Sequence, residues 1–88
     1  MVGGTRMVLG VTLVKVVPGK EHSVFDALKG IPGLRELHHV FGEYDFLVTA
    51  EVDNLSELSK TVDKIRGVNG VMTTQTIVGA ELVDSYVP

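Results

Sequence analysis

Lys29-Gly30-Ile31-Pro32-Gly33-Leu34 recurs as Arg66-Gly67-Val68-Asn69-Gly70-Val71. Each copy reads basic, Gly, β-branched, turn former, Gly, apolar. Each follows a stretch with the apolar spacing of a helix and precedes one that alternates like a strand. Gly and a turn former at the end of a helical pattern stop it and reverse the chain. Two helix–Gly-turn–strand units in a chain of 88 residues predict one βαββαβ domain. Two βαβ halves give a four-stranded antiparallel sheet with both helices on one face. The other face is left bare.

Outward from the first copy, Pro18-Gly19 ends a Val- and Leu-rich stretch, Met7 to Val17. Both of its alternating sets are apolar, the pattern of a strand buried on two faces. Pro18 fits the first turn of the helix that follows. Val24, Leu28 and Ile31 form that helix's stripe, with Ala27 beside them. Leu34 to Phe41 reads as a second strand and Phe46 to Val52 as a third, with Gly42-Glu43-Tyr44-Asp45 turning between them. Asn54 with Glu57 resembles a capping box, opening a helix whose stripe is Leu55, Leu58, Val62 and Ile65. Val71 to Leu82 is the last strand. The reading is a ferredoxin-like α+β domain over residues 7–83, between a flexible leader (1–6) and a tail (84–88). The sheet carries more apolar surface than two short helices cover, which marks an interface. Two sheets are therefore expected to pack face to face in a dimer.

The net charge of −3 comes without a basic run. Sequence-independent phosphate binding needs clustered Lys and Arg, so direct nucleic-acid binding is not expected. The absence of Cys removes disulfides, thiolate metal sites and Cys nucleophiles. Met7 to Val17 is too short to span a bilayer, and no signal-peptide pattern is present. The expectation is a cytoplasmic protein.

Little points to catalysis. His38 and His39 are adjacent on a strand and so face opposite sides, and no ligand spacing supports a metal. A partly exposed strand His is the better reading, with His38 or His39 lining a pocket or making an interface pH-sensitive as the alternative. Ser23, Ser56 and Ser59 have no partnering base, and Gly30 to Gly33 follows a helix, whereas a phosphate cradle precedes one. No enzyme activity and no cofactor are expected.

Two polar spots remain. In Gly42-Glu43-Tyr44-Asp45, Asp45 can hold an ammonium while N–H groups near Gly42 hold a carboxylate. An ordinary turn, with Asp45 capping backbone N–H groups, accounts for the same residues more readily. In Thr73-Thr74-Gln75-Thr76, Thr74 and Thr76 share one strand face and Thr73 and Gln75 the other. A solvated strand face and a pair of hydroxyls offered to a ligand stand equal.

Together these features resemble the ligand-sensing (RAM) domain of the Lrp/AsnC feast/famine regulators, over about Val8 to Leu82. The resemblance is carried by Pro32-Gly33, by Gly42-Glu43-Tyr44-Asp45-Phe46, by Asn69-Gly70-Val71 and by Thr74-Gln75-Thr76-Ile77. It implies a sheet-packed homodimer, assembly of dimers into octamers or similar rings, and small amino acids bound between dimers. By resemblance, Gly42, Tyr44 and Asp45 meet the amino-acid backbone. Thr74 and Thr76 lie nearby, and Val40 lines the approach. Full-length regulators carry an N-terminal helix-turn-helix domain, whereas only a few small residues precede the first strand here. The expectation is a stand-alone sensing module. Its further partners would be full-length regulators of the family, whose DNA binding co-assembly would alter.

Three other readings compete. An ACT-like regulatory domain would place its ligand at a Gly-containing loop after the first strand, which Val17-Pro18-Gly19 fits only faintly. A small dimeric α+β-barrel enzyme would have polar catalytic residues between sheet and helices, where the stripes read as purely apolar. A structural oligomer without a ligand is opposed only by the two polar spots.

Overall fold

The computed structural model describes residues 7–80. The expected leader, residues 81–83 and the tail lie outside the described residues. The elements are β1 (Val8–Val16), α1 (Glu21–Lys29), β2 (Leu34–His39), β3 (Phe46–Val52), α2 (Leu55–Arg66) and β4 (Val71–Ala80). The strands form one sheet in the order β2-β3-β1-β4, with every pairing antiparallel.

The near-repeat has one backbone solution used twice. Gly30 and Gly67 cap their helices with almost the same right-handed angles. Ile31 N–H donates to Leu28 O and Val68 N–H to Ile65 O, each at 3.1 Å. The second glycine of each copy is left-handed, with φ of +93° at Gly33 and +108° at Gly70, a region costly for residues with a Cβ. Gly70 is constrained twice: an added Cβ would lie 2.8 Å from Val24 Cγ2 and 3.0 Å from Lys20 Cβ. There the chain returns beside β1, and Val17 N–H donates to Gly70 O at 2.8 Å.

Both helices pack on one face of the sheet. Val14 and Val16 of β1 and Phe46 and Val48 of β3 meet Val24 and Leu28 of α1 and Ile65 of α2 in the core. Gly10 lets α2 come close, since a Cβ on it would lie 2.5 Å from Leu58 Cδ1. The other face stays open. Leu13 is flanked there by Leu47 and Gln75, and Val11 by Thr49 and Ile77. Val11, Leu13 and Leu47 are half-buried, and Ile77 is 56% exposed. β1 is thus buried on its helix face only, not on both within one chain.

Several sequence expectations need correction. Pro18 precedes α1 rather than opening it. Lys20 N–H closes onto Val17 O at 2.9 Å and Gly19 has φ +92°, the geometry of a type II turn with Pro and Gly at its centre. Ala27 is exposed and Phe25 is half-buried in its place, while Ile31 lies just beyond the helix. In α2, Leu55 is 62% exposed and Thr61 is buried. Leu58, Thr61 and Ile65 form the central row of the stripe, and Leu55 falls at its margin. β2 ends at His39, and a bulge at Arg35 shifts its register against β3. The Asn54 cap is as expected, Oδ1 accepting Glu57 N–H at 2.9 Å.

Candidate functional site

The β2–β3 hairpin is pinned at its base. Val40 N–H donates to Asp45 O at 2.9 Å, and Asp45 N–H donates to Val14 O at 2.8 Å. Asp45 Oδ2 accepts Val16 N–H at 2.8 Å, so this carboxylate ties the hairpin to the end of β1. Tyr44 reaches across β1, its hydroxyl donating to Gln75 Oε1 at 2.9 Å. The tip is bare: Gly42 has φ +117° and is exposed with Glu43. Asp45 thus caps a backbone N–H, but one on β1 rather than one of its own turn.

Thr74 and Thr76 share one face of β4, as the alternation indicated, and that face is the helix side. Thr76 Oγ1 lies 2.9 Å from Thr12 Oγ1, directly opposite on β1. Thr74 Oγ1 accepts from Arg66 Nε at 3.3 Å, within a cleft of about 330 Å³ lined by Arg66, Val71, Met72, Thr73 and Thr74. Val14 pairs with Phe46 on one side and Thr74 on the other. The hairpin and Thr74 therefore sit at one end of the sheet, two strand spacings or roughly 10 Å apart. Gln75, the Tyr44 partner, points to the open face instead. The structure brings Val40, Gly42, Tyr44 and Asp45 together in the hairpin, and Thr74 and Thr76 together under α2. The cleft holding Thr74 contains no hairpin residue.

Two features escaped the sequence reading. Arg66, the first residue of the second near-repeat, joins Thr74. A second cleft, about 440 Å³, opens on the helix side at the hairpin base, lined by Gly19, Glu21, His22, Phe25, His39 and Phe46. His39 and Phe46 flank the hairpin in sequence, so strand alternation carried a signal for it. The His39 ring lies tilted at 5.2 Å from that of Phe46, while His38 faces the opposite side, 3.5 Å from Glu36. Among the described residues no three His, Asp or Glu side chains gather as a metal would need. No helix there is long and apolar enough to cross a membrane.

Polar groups do lie between sheet and helices, contrary to purely apolar stripes. They are Thr12, satisfied by Thr76, and Thr61, whose hydroxyl donates to Glu57 O at 3.0 Å.

The Lrp/AsnC ligand binding domain family matches residues 8–85. The transcriptional regulator FL11 of Pyrococcus furiosus is 31% identical over 71 residues, covering 81% of this chain and 47% of FL11. A homocitrate synthase of Sulfurisphaera tokodaii is 41% identical over 49 residues, covering 56% of this chain and 11% of the enzyme. The chain thus spans less than half the length of these relatives. The crystal structure of FFRP-DM1 superposes with a TM-score of 0.76 at 33% identity, covering 82% of this chain and 97% of that one. The family match along nearly the whole chain, together with the shared fold, makes this protein a member of the Lrp/AsnC ligand-binding domain family.

Proposed function

We propose that the domain binds small amino acids and assembles through its open sheet face, and that it acts by binding rather than by catalysis. The observation that carries this reading is the hairpin. Its base is fixed by Asp45 and Tyr44 while Gly42 and Glu43 stay bare. A loop held this way meets a ligand with little further ordering, which favours affinity. The family is one of ligand-binding domains, and a structural neighbour, the regulator NMB0573 of Neisseria meningitidis, is solved as a complex with L-Met. In the proposed site the hairpin N–H groups near Gly42 take the ligand carboxylate and Asp45 its ammonium. Val40 borders the entry, and Thr74 and Thr76 are contributed from β4. Dimers of dimers or larger rings, up to octamers, complete the pocket from neighbouring copies. Full-length regulators of the family are proposed partners, and the setting is the cytoplasm.

The half-buried Val11, Leu13 and Leu47 with exposed Ile77 support sheet-to-sheet packing. Most of the matched relatives are named as transcriptional regulators, which supports a binding role. One observation favours a second reading. Asp45 already holds Val16 N–H, so the hairpin could be wholly structural and the domain an assembly module without a ligand. Amide-resolved NMR with a mixture of the proteinogenic amino acids separates the two. Saturable shifts in Gly42 to Asp45 and Thr74 to Thr76 support the sensor. An unmoved spectrum leaves the assembly module.

A further inference from the structure

The cleft at the hairpin base has an aromatic floor. Phe25 and Phe46 lie 5.8 Å apart between ring centroids, and His39 continues the series at 5.2 Å from Phe46. Phe41 stands outside the cleft lining, 5.6 Å from His39 between ring centroids, and the residue is 93% exposed. Interplanar angles of 31° to 36° keep successive rings tilted rather than stacked flat, and Lys29 Nζ lies 4.9 Å from the Phe25 ring centroid. The polar groups stand at one side. Glu21 Oε1 accepts Gly19 N–H at 3.0 Å, and the His22 side chain is 93% exposed, 3.9 Å from Asp26.

This cleft lies at the base of the hairpin, although none of Val40 to Asp45 lines it. His39 immediately precedes Val40, and Phe46 immediately follows Asp45. A molecule whose ammonium meets Asp45 and whose carboxylate meets the Gly42 backbone can extend its side chain past His39 toward Phe25, with Phe46 buried beneath. The cleft volume of about 440 Å³ is ample for one side chain and lies within the range of small-molecule sites. The cleft is on the helix side, so sheet-to-sheet packing leaves it free.

We propose that this cleft is the side-chain pocket of the sensor and that it selects aromatic amino acids, with Phe41 and His39 as specificity-determining residues. The proposal rests on the amino-acid-binding reading above. A ligand ring set against His39 and Phe25, and covered by Phe41, gains ring–ring contact that an aliphatic side chain of similar area lacks. Such contacts favour the aromatic ligand by up to roughly tenfold.

The test is calorimetric titration of the full chain with L-Phe, L-Tyr, L-Leu and L-Ala, repeated with Phe41→Ala and His39→Ala. Phe41 is almost wholly exposed, so its truncation leaves the core intact. The proposal expects L-Phe or L-Tyr to bind several-fold to tenfold more tightly than L-Leu. It expects Phe41→Ala to erase that preference while L-Ala affinity stays unchanged. Tighter binding of L-Leu or L-Ala, or a preference that survives both substitutions, overturns the pocket assignment and leaves the sensor standing. Absence of binding by all four, and by the remaining proteinogenic amino acids, overturns both readings together.

Discussion

Asp45 carries two roles that one pair of substitutions can separate. Its Oδ2 accepts Val16 N–H at 2.8 Å, and Val16 is 3% exposed. Asp45→Ala leaves that N–H without its acceptor in a buried place, at a cost of about 1–3 kcal/mol. In a domain of this size each kcal/mol lowers Tm by about 4–8 °C, so the melting temperature should fall by about 4–24 °C. Asp45→Asn keeps an oxygen on the same geometry and loses only the charge assistance, about 1 kcal/mol. The two variants should therefore order as wild type, then Asn, then Ala. Urea unfolding followed by circular dichroism gives the free energies by linear extrapolation. Protein concentration must be held constant, because an assembling domain gains stability by mass action. Ligand affinity should order differently: Asn lacks the negative charge an ammonium needs and should lose binding almost as fully as Ala. An Ala variant within about 0.5 kcal/mol of wild type would refute the structural role. An Asn variant with undiminished affinity would remove Asp45 from the binding site.

Three further outcomes are expected. Gly33→Ala and Gly70→Ala should both destabilise by about 1–2 kcal/mol for their left-handed backbone, with Gly70→Ala costing more because Val24 and Lys20 crowd its Cβ; equal unfolding free energies would contradict the packing at β4. Gly10→Ala should cost about 1–3 kcal/mol through its clash with Leu58, and a double-mutant cycle with Leu58→Ala should show coupling above about 0.5 kcal/mol; additivity would mean α2 does not press on β1 there. Leu13→Lys should weaken dimerisation at least tenfold in sedimentation equilibrium, since a sheet-packed dimer buries the new charge unpaired; an unchanged dissociation constant would place the interface elsewhere.

The near-repeat made the element order legible because helix stops and left-handed turns demand particular residues. Gly33 and Gly70 turn the chain after each helix, as expected, and do so with left-handed backbone, and the Asn54 cap is where its spacing put it. What was not legible depended on depth of burial. Leu55 looks as apolar as Leu58, but only the contact with β1 decides that the row runs through Thr61. Pro18 fits a helix start and a type II turn equally, and the hydrogen bond from Lys20 to Val17 decides between them. In the candidate site, alternation paired Thr74 with Thr76 correctly. It could not say that they face the helices while Gln75 meets Tyr44 on the other side, since that depends on register across three strands. The pairing of Arg66 with Thr74, and the meeting of Gly19 to Phe25 with His39 and Phe46, were not legible because they join segments distant in sequence.

The central claim is that this domain senses amino acids, and calorimetric titration against each proteinogenic amino acid, with mass followed by light scattering, tests it most directly. The account predicts saturable binding of one or a few, near one per chain, by a dimer or larger ring. A defined oligomer that binds none of them would contradict it.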